Sequence, residues 1–326
     1  MTAEDTTEIA AEAARLWGAV ATPELIVARE NIVYRMELSR GRRAALRLHR
    51  VGYQSRKAIE AELLWTGALA ARGFPTPGPV PLPGGKVTAE VGGRIVSATE
   101  WIAGEPVGCA ALPLGGSRAE QADLHRDIGR LIARLHSLTD GLDLSPTLPR
   151  PRWDAEGLLG ATPLWGAFWR HPGLDSEASA LLHRLRASLH ERLARGDGFA
   201  ADFGLIHADV LRENLLAADG TLSLIDFDDS GYGYRIYDLG TALVQSLEET
   251  TLPDLARALL EGYNGERGQA LVFTEDDLRI GVLLRALASC GWIQSRAAPD
   301  DPRQRLYVAR AVRLAGLVER GLPGWT

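Results

Sequence analysis

The chain has 326 residues, room for two domains or lobes, and its 46% apolar and 24% charged residues are those of a folded protein rather than a disordered one. A formal net charge of −6 argues against a general nucleic-acid-binding coat. Two cysteines, Cys109 and Cys290, exclude a disulfide scaffold or a metal finger. The uncharged windows, such as residues 157–169, fall short of the ~18 residues a membrane span needs. The acidic N-terminus has no apolar core and is neither a signal nor a transit peptide, so reduced thiols and a cytoplasmic location are expected. Only Lys57 and Lys86 among the 36 basic residues are lysines.

Residues 6–20 read as a helix with Ile9, Ala13, Leu16, Trp17 and Val20 on one face. Short apolar or alternating runs at 25–28, 32–38 and 44–48 then read as an antiparallel meander, with Gly41 between the last two. A helix over 56–72 follows, stopped by Gly73. The Pro/Gly-rich stretch from Pro75 to Gly85 reads as an extended connection. Residues 87–90 and 94–101 form a hairpin turning at Gly92 and Gly93, and the segment 102–106 breaks it. Beyond that the texture is helical: 118–138, 176–195, 238–247, 255–263, 275–295 and 302–321. Trp165 and Trp169 would share a face if their segment is helical. The β-rich island in this half is 205–228. The expected architecture is α+β in two lobes, residues 1–103 and 104–326, with a hinge near Glu100–Gly104.

The chemistry lies in that island. Two apolar strand-like runs each end in a polar cluster, the first delivering His207, Asp209 and Asn214, the second Asp226, Asp228 and Asp229. Between residues 201 and 240 eight acids face two arginines. Carboxylates gathered at adjacent strand ends repel one another unless a cation sits between them, and a hard divalent ion such as Mg2+ suits their oxygens. Asp209 and Asn214 are five residues apart, the spacing of the kinase catalytic loop H-x-D-x4-N. The run from Ile225 begins at the place of the kinase metal-binding Asp.

On these residues, and on Ile225 to Asp229, Gly231-Tyr232 and Asp238-Leu239, the sequence resembles the aminoglycoside phosphotransferase, choline kinase and type II homoserine kinase superfamily over nearly its whole length. The resemblance implies a two-lobed protein-kinase-like fold: an N-terminal antiparallel sheet with one key helix, and a larger helical lobe. It implies ATP and Mg2+, with Asp209 receiving the acceptor hydroxyl's proton, and Asn214, Asp226 and Asp228 at the metal. Glu62 matches the family's helix glutamate. The strand that should carry its lysine partner has Arg47 instead, which keeps the charge on a bulkier fork. Backbone groups around Glu100 and Ile102 would meet the adenine. A phosphate-covering turn would fall at residues 29–31, although no G-x-G-x-x-G is present. His207 is expected to hold the loop, Asp238 to hydrogen-bond it, and His136 to pack between helices.

The implied reaction is transfer of the ATP γ-phosphoryl group to a hydroxyl of a small amino alcohol, hydroxy amino acid or aminoglycoside-like amine, with neither nucleic acid nor membrane as partner. Two alternatives stay open. One is the same chemistry on a protein Ser/Thr hydroxyl; the other is a nucleotide-binding pseudokinase regulator, which the missing lysine favours and the intact Asp209, Asn214 and Asp226 oppose.

Overall fold

The computed structural model describes residues 3–28, 31–144, 147–268 and 272–325. The chain divides into two compact units, Met1–Glu105 with Leu142–Arg150, and Pro106–Gly141 with Pro151–Thr326. In the first unit β1 (Glu24–Ala28), β2 (Ile32–Glu37), β3 (Arg43–Leu48), β4 (Thr88–Val91) and β5 (Arg94–Glu100) form an antiparallel sheet in the order β1-β2-β3-β5-β4. Strand β3 alternates as a one-sided strand must: Ala44, Leu46 and Leu48 are buried, while Ala45 and Arg47 lie on the other face. The buried face joins Tyr34, Met36, Val96 and Ala98 in one core with Ala10, Ala13 and Ala14 of α1 (Ala3–Leu16).

The first helix ends earlier than its apolar pattern suggests. Gly18 takes a φ of 71° and closes it, and Val20, expected on the buried face, is exposed together with Leu16. Ala10, Ala13 and Ala14 make the contact together with the buried Trp17 just past the helix end and the partly buried Ile9. A Cβ on Gly92 would stand 2.6 Å from Ile9 Cγ1, and Gly92 and Gly93 have φ of 55° and 72°, the turn that fits a twisted two-residue hairpin. Helix α2 (Arg56–Ala71) starts at Ser55, whose hydroxyl accepts from Ala58 N at 3.2 Å. The proline-rich connection is pinned along β5: Val80 N donates to Ala98 O and Glu100 N to Gly78 O, each at 2.8 Å. The two-residue strand β6 (Glu105–Pro106) follows β5.

The second unit is mostly helical: α3 (Arg118–Asp140), α4 (Ala155–Leu159), α5 (Ser176–Arg195), α6 (Ile236–Val244), α7 (Leu252–Arg267), α8 (Glu275–Ile293) and α9 (Pro302–Glu319). Short strands β7 (Arg152–Trp153), β8 (Phe203–Ile206) and β11 (Gly231–Tyr234) form one sheet in the order β7-β11-β8, and β9 (Leu215–Ala218) pairs with β10 (Thr221–Leu224) as a hairpin. Helices α6 and α8 cross in backbone contact: a Cβ on Gly240 would fall 2.1 Å from the carbonyl carbon of Gly281. The segment holding Trp165 and Trp169 is not an α-helix. Gly166 takes a φ of 103° and only one 3-10 turn, Phe168–Arg170, follows. Both tryptophans are nonetheless buried, Trp165 edge-on to Trp153 with ring centroids 4.9 Å apart. Among the described residues no helix is long and apolar enough to cross a membrane.

Candidate active site

Strand β8 ends in a sharp bend that presents His207, Ala208 and Asp209. Ala208 adopts a left-handed backbone with φ of 66°, a conformation that costs a non-glycine residue about 1–2 kcal/mol and persists only when its surroundings impose it. Asp238, in the first turn of α6, supplies part of that constraint. Its Oδ2 accepts from His207 N at 2.9 Å and its Oδ1 from Ala208 N at 2.7 Å. His207 closes the bend from inside: Asp209 N donates to its Nδ1 at 3.2 Å, so Nε2 carries the proton and donates to Ile225 O at 3.0 Å. Behind Asp238, His136 Nε2 lies 3.1 Å from Oδ2 and its Nδ1 2.9 Å from the Tyr263 hydroxyl. Burial holds His136 well below the usual imidazole range and pushes Asp238 up to about 6, against the pull of the two backbone amides. His136 thus does more than pack between helices; it completes the support of Asp238.

Asp209 is gripped at both carboxylate oxygens. Asn214 Nδ2 donates to Oδ2 at 2.9 Å and also to the Asp209 carbonyl at 2.9 Å. Arg285 Nη2, from the middle of α8, donates to Oδ1 at 2.8 Å. Burial raises the Asp209 carboxyl above its ordinary range; the Arg285 charge opposes this, the Asp226 charge adds to it, and the bonds from Arg285 and Asn214 pull it back. The side chain remains 20% exposed, the opening through which an acceptor would meet it.

Asp226 reaches this centre because Ile225 N donates to Asn214 O at 3.0 Å, joining the chain after β10 to the turn before β9. Asp226 itself has a φ of 65°, a second left-handed non-glycine residue beside the first. Asp228 is buried, and the Asp229 carbonyl accepts from the Trp153 indole at 2.9 Å. Because the Asn214 amide nitrogen is committed to Asp209, its oxygen is left for a ligand. That oxygen and the Asp226 carboxylate are oxygen donors of the kind that could hold a hard divalent cation. Among the described residues no group of three or more His, Cys, Asp or Glu could hold a metal.

In the first unit, Glu62 stands on the inner side of α2 between two guanidiniums. Arg47 Nη1 is 3.5 Å from Oε1 and Arg150 Nη1 3.6 Å from Oε2; the three side chains are 18%, 7% and 1% exposed for Arg47, Glu62 and Arg150. Arg150 also donates to Ala58 O at 3.0 Å. The more exposed cation is therefore Arg47. Glu100 ends β5 and its carboxylate accepts from Gly78 N at 3.3 Å. Ile102 lies past the strand end, half-buried, its backbone outside any helix or strand. Of the expected phosphate-covering turn, Arg29 and Glu30 lie outside the described residues; the Asn31 side chain accepts from Arg50 N at 2.9 Å.

Arg150 and Arg285 are the site residues that sequence reading missed. Arg285 did leave a signal, an arginine inside the otherwise apolar run 280–288 of α8, every residue of which is buried. Arg150 left none, because only the return of residues 142–150 to the first unit brings it to Glu62.

Comparisons with known proteins place the chain in a family. The family model described as "Phosphotransferase enzyme family" matches residues 25–273. The chain is 30% identical over 265 residues to the homoserine kinase of Acidiphilium cryptum (strain JF-5), covering 76% of this chain and 74% of that one. It is 28% identical over 143 residues to the amicoumacin kinase of Bacillus subtilis (strain 168), a match spanning 42% of this chain and only 40% of that enzyme's length. Among solved structures, a microcompartment-associated aminopropanol kinase is similar with a TM-score of 0.82 at 28% identity, covering 96% of this chain and 98% of that one. An amicoumacin kinase in complex with AMP-PNP, Ca2+ and Ami has a TM-score of 0.72 at 19% identity over 99% of this chain and 95% of that one, a likeness of fold. With the match running from β1 through the catalytic-loop motif and past Asp226, the chain belongs to the phosphotransferase enzyme family.

Proposed function

We propose that the protein is an ATP-dependent kinase that moves the γ-phosphoryl group to the hydroxyl of a small amino alcohol or hydroxy amino acid. The observation that carries this reading is Asp209, a carboxylate fixed at both oxygens by Asn214 and Arg285 yet still open to solvent. In the reaction the acceptor oxygen bonds to the γ-phosphorus, the bond from phosphorus to the β-phosphate oxygen breaks, and the hydroxyl proton passes to Asp209. Asn214 and Asp226 would hold Mg2+, which when bound neutralises phosphate charge. Arg47 steadies the phosphates, with Glu62 and Arg150 fixing its guanidinium, and the backbone at Glu100 and Ile102 meets the adenine. Catalysis is then positioning plus charge stabilisation, with no covalent intermediate.

The acceptor class draws its support from the likeness to aminopropanol kinase and homoserine kinase. The test is phosphorus NMR of product formed from ATP and Mg2+ with 1-amino-2-propanol, homoserine, choline, an aminoglycoside and a serine-containing protein. A phosphomonoester of one of the first two is expected. Labelling of the protein acceptor alone would replace this reading with protein kinase activity, and ATP binding without product on any acceptor would replace it with a regulator.

A further inference from the structure

Arg285 grips the catalytic loop, yet the spacing of the catalytic-loop motif does not call for it. It is 7% exposed and sits mid-helix in α8, where every neighbour from Ile280 to Ala288 is buried. A cation in such a place needs compelling partners; Tyr237 and the Asp229 charge act on it, and its fork reaches two successive residues of one bend. Nη2 donates to Asp209 Oδ1 at 2.8 Å and Nη1 to the Ala208 carbonyl at 2.9 Å. The planar fork thus spans the peptide that joins the left-handed residue to the carboxylate.

The left-handed Ala208 is consequently held at both ends: its N–H donates to Asp238 at 2.7 Å and its carbonyl accepts from Arg285. The guanidinium is itself fixed from behind, with its central carbon 4.8 Å from the Trp165 ring centroid and Trp165 edge-on to Trp153. The crossing of α6 and α8 at Gly240 and Gly281 keeps Asp238 and Arg285 on elements in direct backbone contact.

We propose that Arg285 is a positioning residue that sets the direction of the Asp209 carboxylate toward the incoming hydroxyl. A loose phosphoryl-transfer transition state depends on alignment of the attacking hydroxyl, so a carboxylate held in one direction favours catalysis. This inference rests on the kinase reading of Asp209.

The test compares Arg285→Ala, Arg285→Lys and Asp209→Asn, singly and combined, in the full chain. Arg285→Ala is expected to lower kcat about 100-fold, the cost of a misplacement near 1 Å, while the ATP KM changes less than about twofold because the fork touches no nucleotide-binding group. Arg285→Lys, which reaches one of the two partners, falls between, and guanidinium ion added to Arg285→Ala restores part of the lost kcat. In the Asp209→Asn background the same substitution has little further effect on kcat. Thermal unfolding of wild type, the two single variants Arg285→Ala and Asp209→Asn, and their combination gives a readout independent of turnover: Arg285→Ala destabilises wild type more than it does Asp209→Asn. A wild-type protein that transfers no phosphate sinks the kinase reading alone, and the unfolding cycle then judges the pair. Additive unfolding effects, an unchanged kcat in a folded Arg285→Ala protein, or an equal rise in ATP KM overturns the role of Arg285. Failure of Arg285→Ala to fold moves the judgement to Arg285→Lys, where normal kcat overturns it and reduced kcat at unchanged KM supports it.

Discussion

Arg150 meets Glu62 at one carboxylate oxygen while Arg47 meets it at the other, at 3.6 and 3.5 Å. The acid is thus shared between a fully buried guanidinium and a partly open one, and the two have different tasks. Arg150, bonded also to Ala58 O, anchors Glu62 to its own helix. Arg47 lies on the half-buried face of β3, with its side chain 18% exposed.

Arg47→Ala should raise the ATP KM and lower kcat, and Arg47→Lys should retain part of the activity, since the charge survives and the fork does not. Glu62→Ala should cost less than Arg47→Ala, and the pair should cost less than the sum. Steady-state ATP kinetics of these variants check this. Normal ATP kinetics in Arg47→Ala would hand the phosphates to another cation, with Lys57 at the start of α2 the first to examine.

Arg150→Met should destabilise the first unit by about 3 kcal/mol, at the low end for breaking a buried ion pair because Arg47 still faces Glu62. Urea unfolding measures it. A loss no larger than that of an exposed arginine would mean that Arg150 does not anchor Glu62.

Asp226→Ala should abolish Mg2+-dependent nucleotide binding and Asn214→Ala should weaken it less, because the first removes a full carboxylate and the second a neutral amide oxygen. Calorimetric titration of nucleotide at several Mg2+ concentrations reads both. An unchanged metal requirement in Asp226→Ala would remove it from the metal site.

Asp238 gives a pH prediction. Burial places its carboxyl at about 6 in the folded chain, against 3.8 when free. Between those values the folded chain binds a proton that the unfolded chain does not, so this group's contribution to stability is full below about pH 4 and is lost as pH rises through 6. The difference amounts to about 3 kcal/mol at most. Unfolding of wild type and of Asp238→Asn, which does not titrate, should show the wild type gaining on the variant as pH falls from 7 to 5. A gap that moves the other way would mean that the two amide bonds outweigh burial.

Much of this was legible in the sequence because the pattern was local. The alternation of Ala44 to Leu48 fixes which way Arg47 faces, Gly92 and Gly93 announce the hairpin, and the spacing of Asp209 and Asn214 puts both on one tight bend. What stayed hidden depended on distant parts of the chain meeting. Arg150 reaches Glu62 only through the return of residues 142–150, and Arg285 reaches Asp209 only because two glycines let α6 and α8 touch. The apolar face of α1 departs from its pattern only at the end: Ala13 and Trp17 are buried as the periodicity has them, while Leu16 and Val20, at and past the helix end, are exposed. In the same way Trp165 and Trp169 have helical spacing but are buried from an irregular segment.

The central claim is that Asp209 receives the acceptor hydroxyl, and the most direct measurement is product formation by wild type and Asp209→Ala under saturating ATP and Mg2+, paired with nucleotide affinity. The account predicts that kcat falls by about three orders of magnitude or more while ATP affinity stays within about twofold, because Asp209 faces the acceptor and not the nucleotide. An Asp209→Ala protein that keeps a tenth or more of wild-type turnover would contradict it.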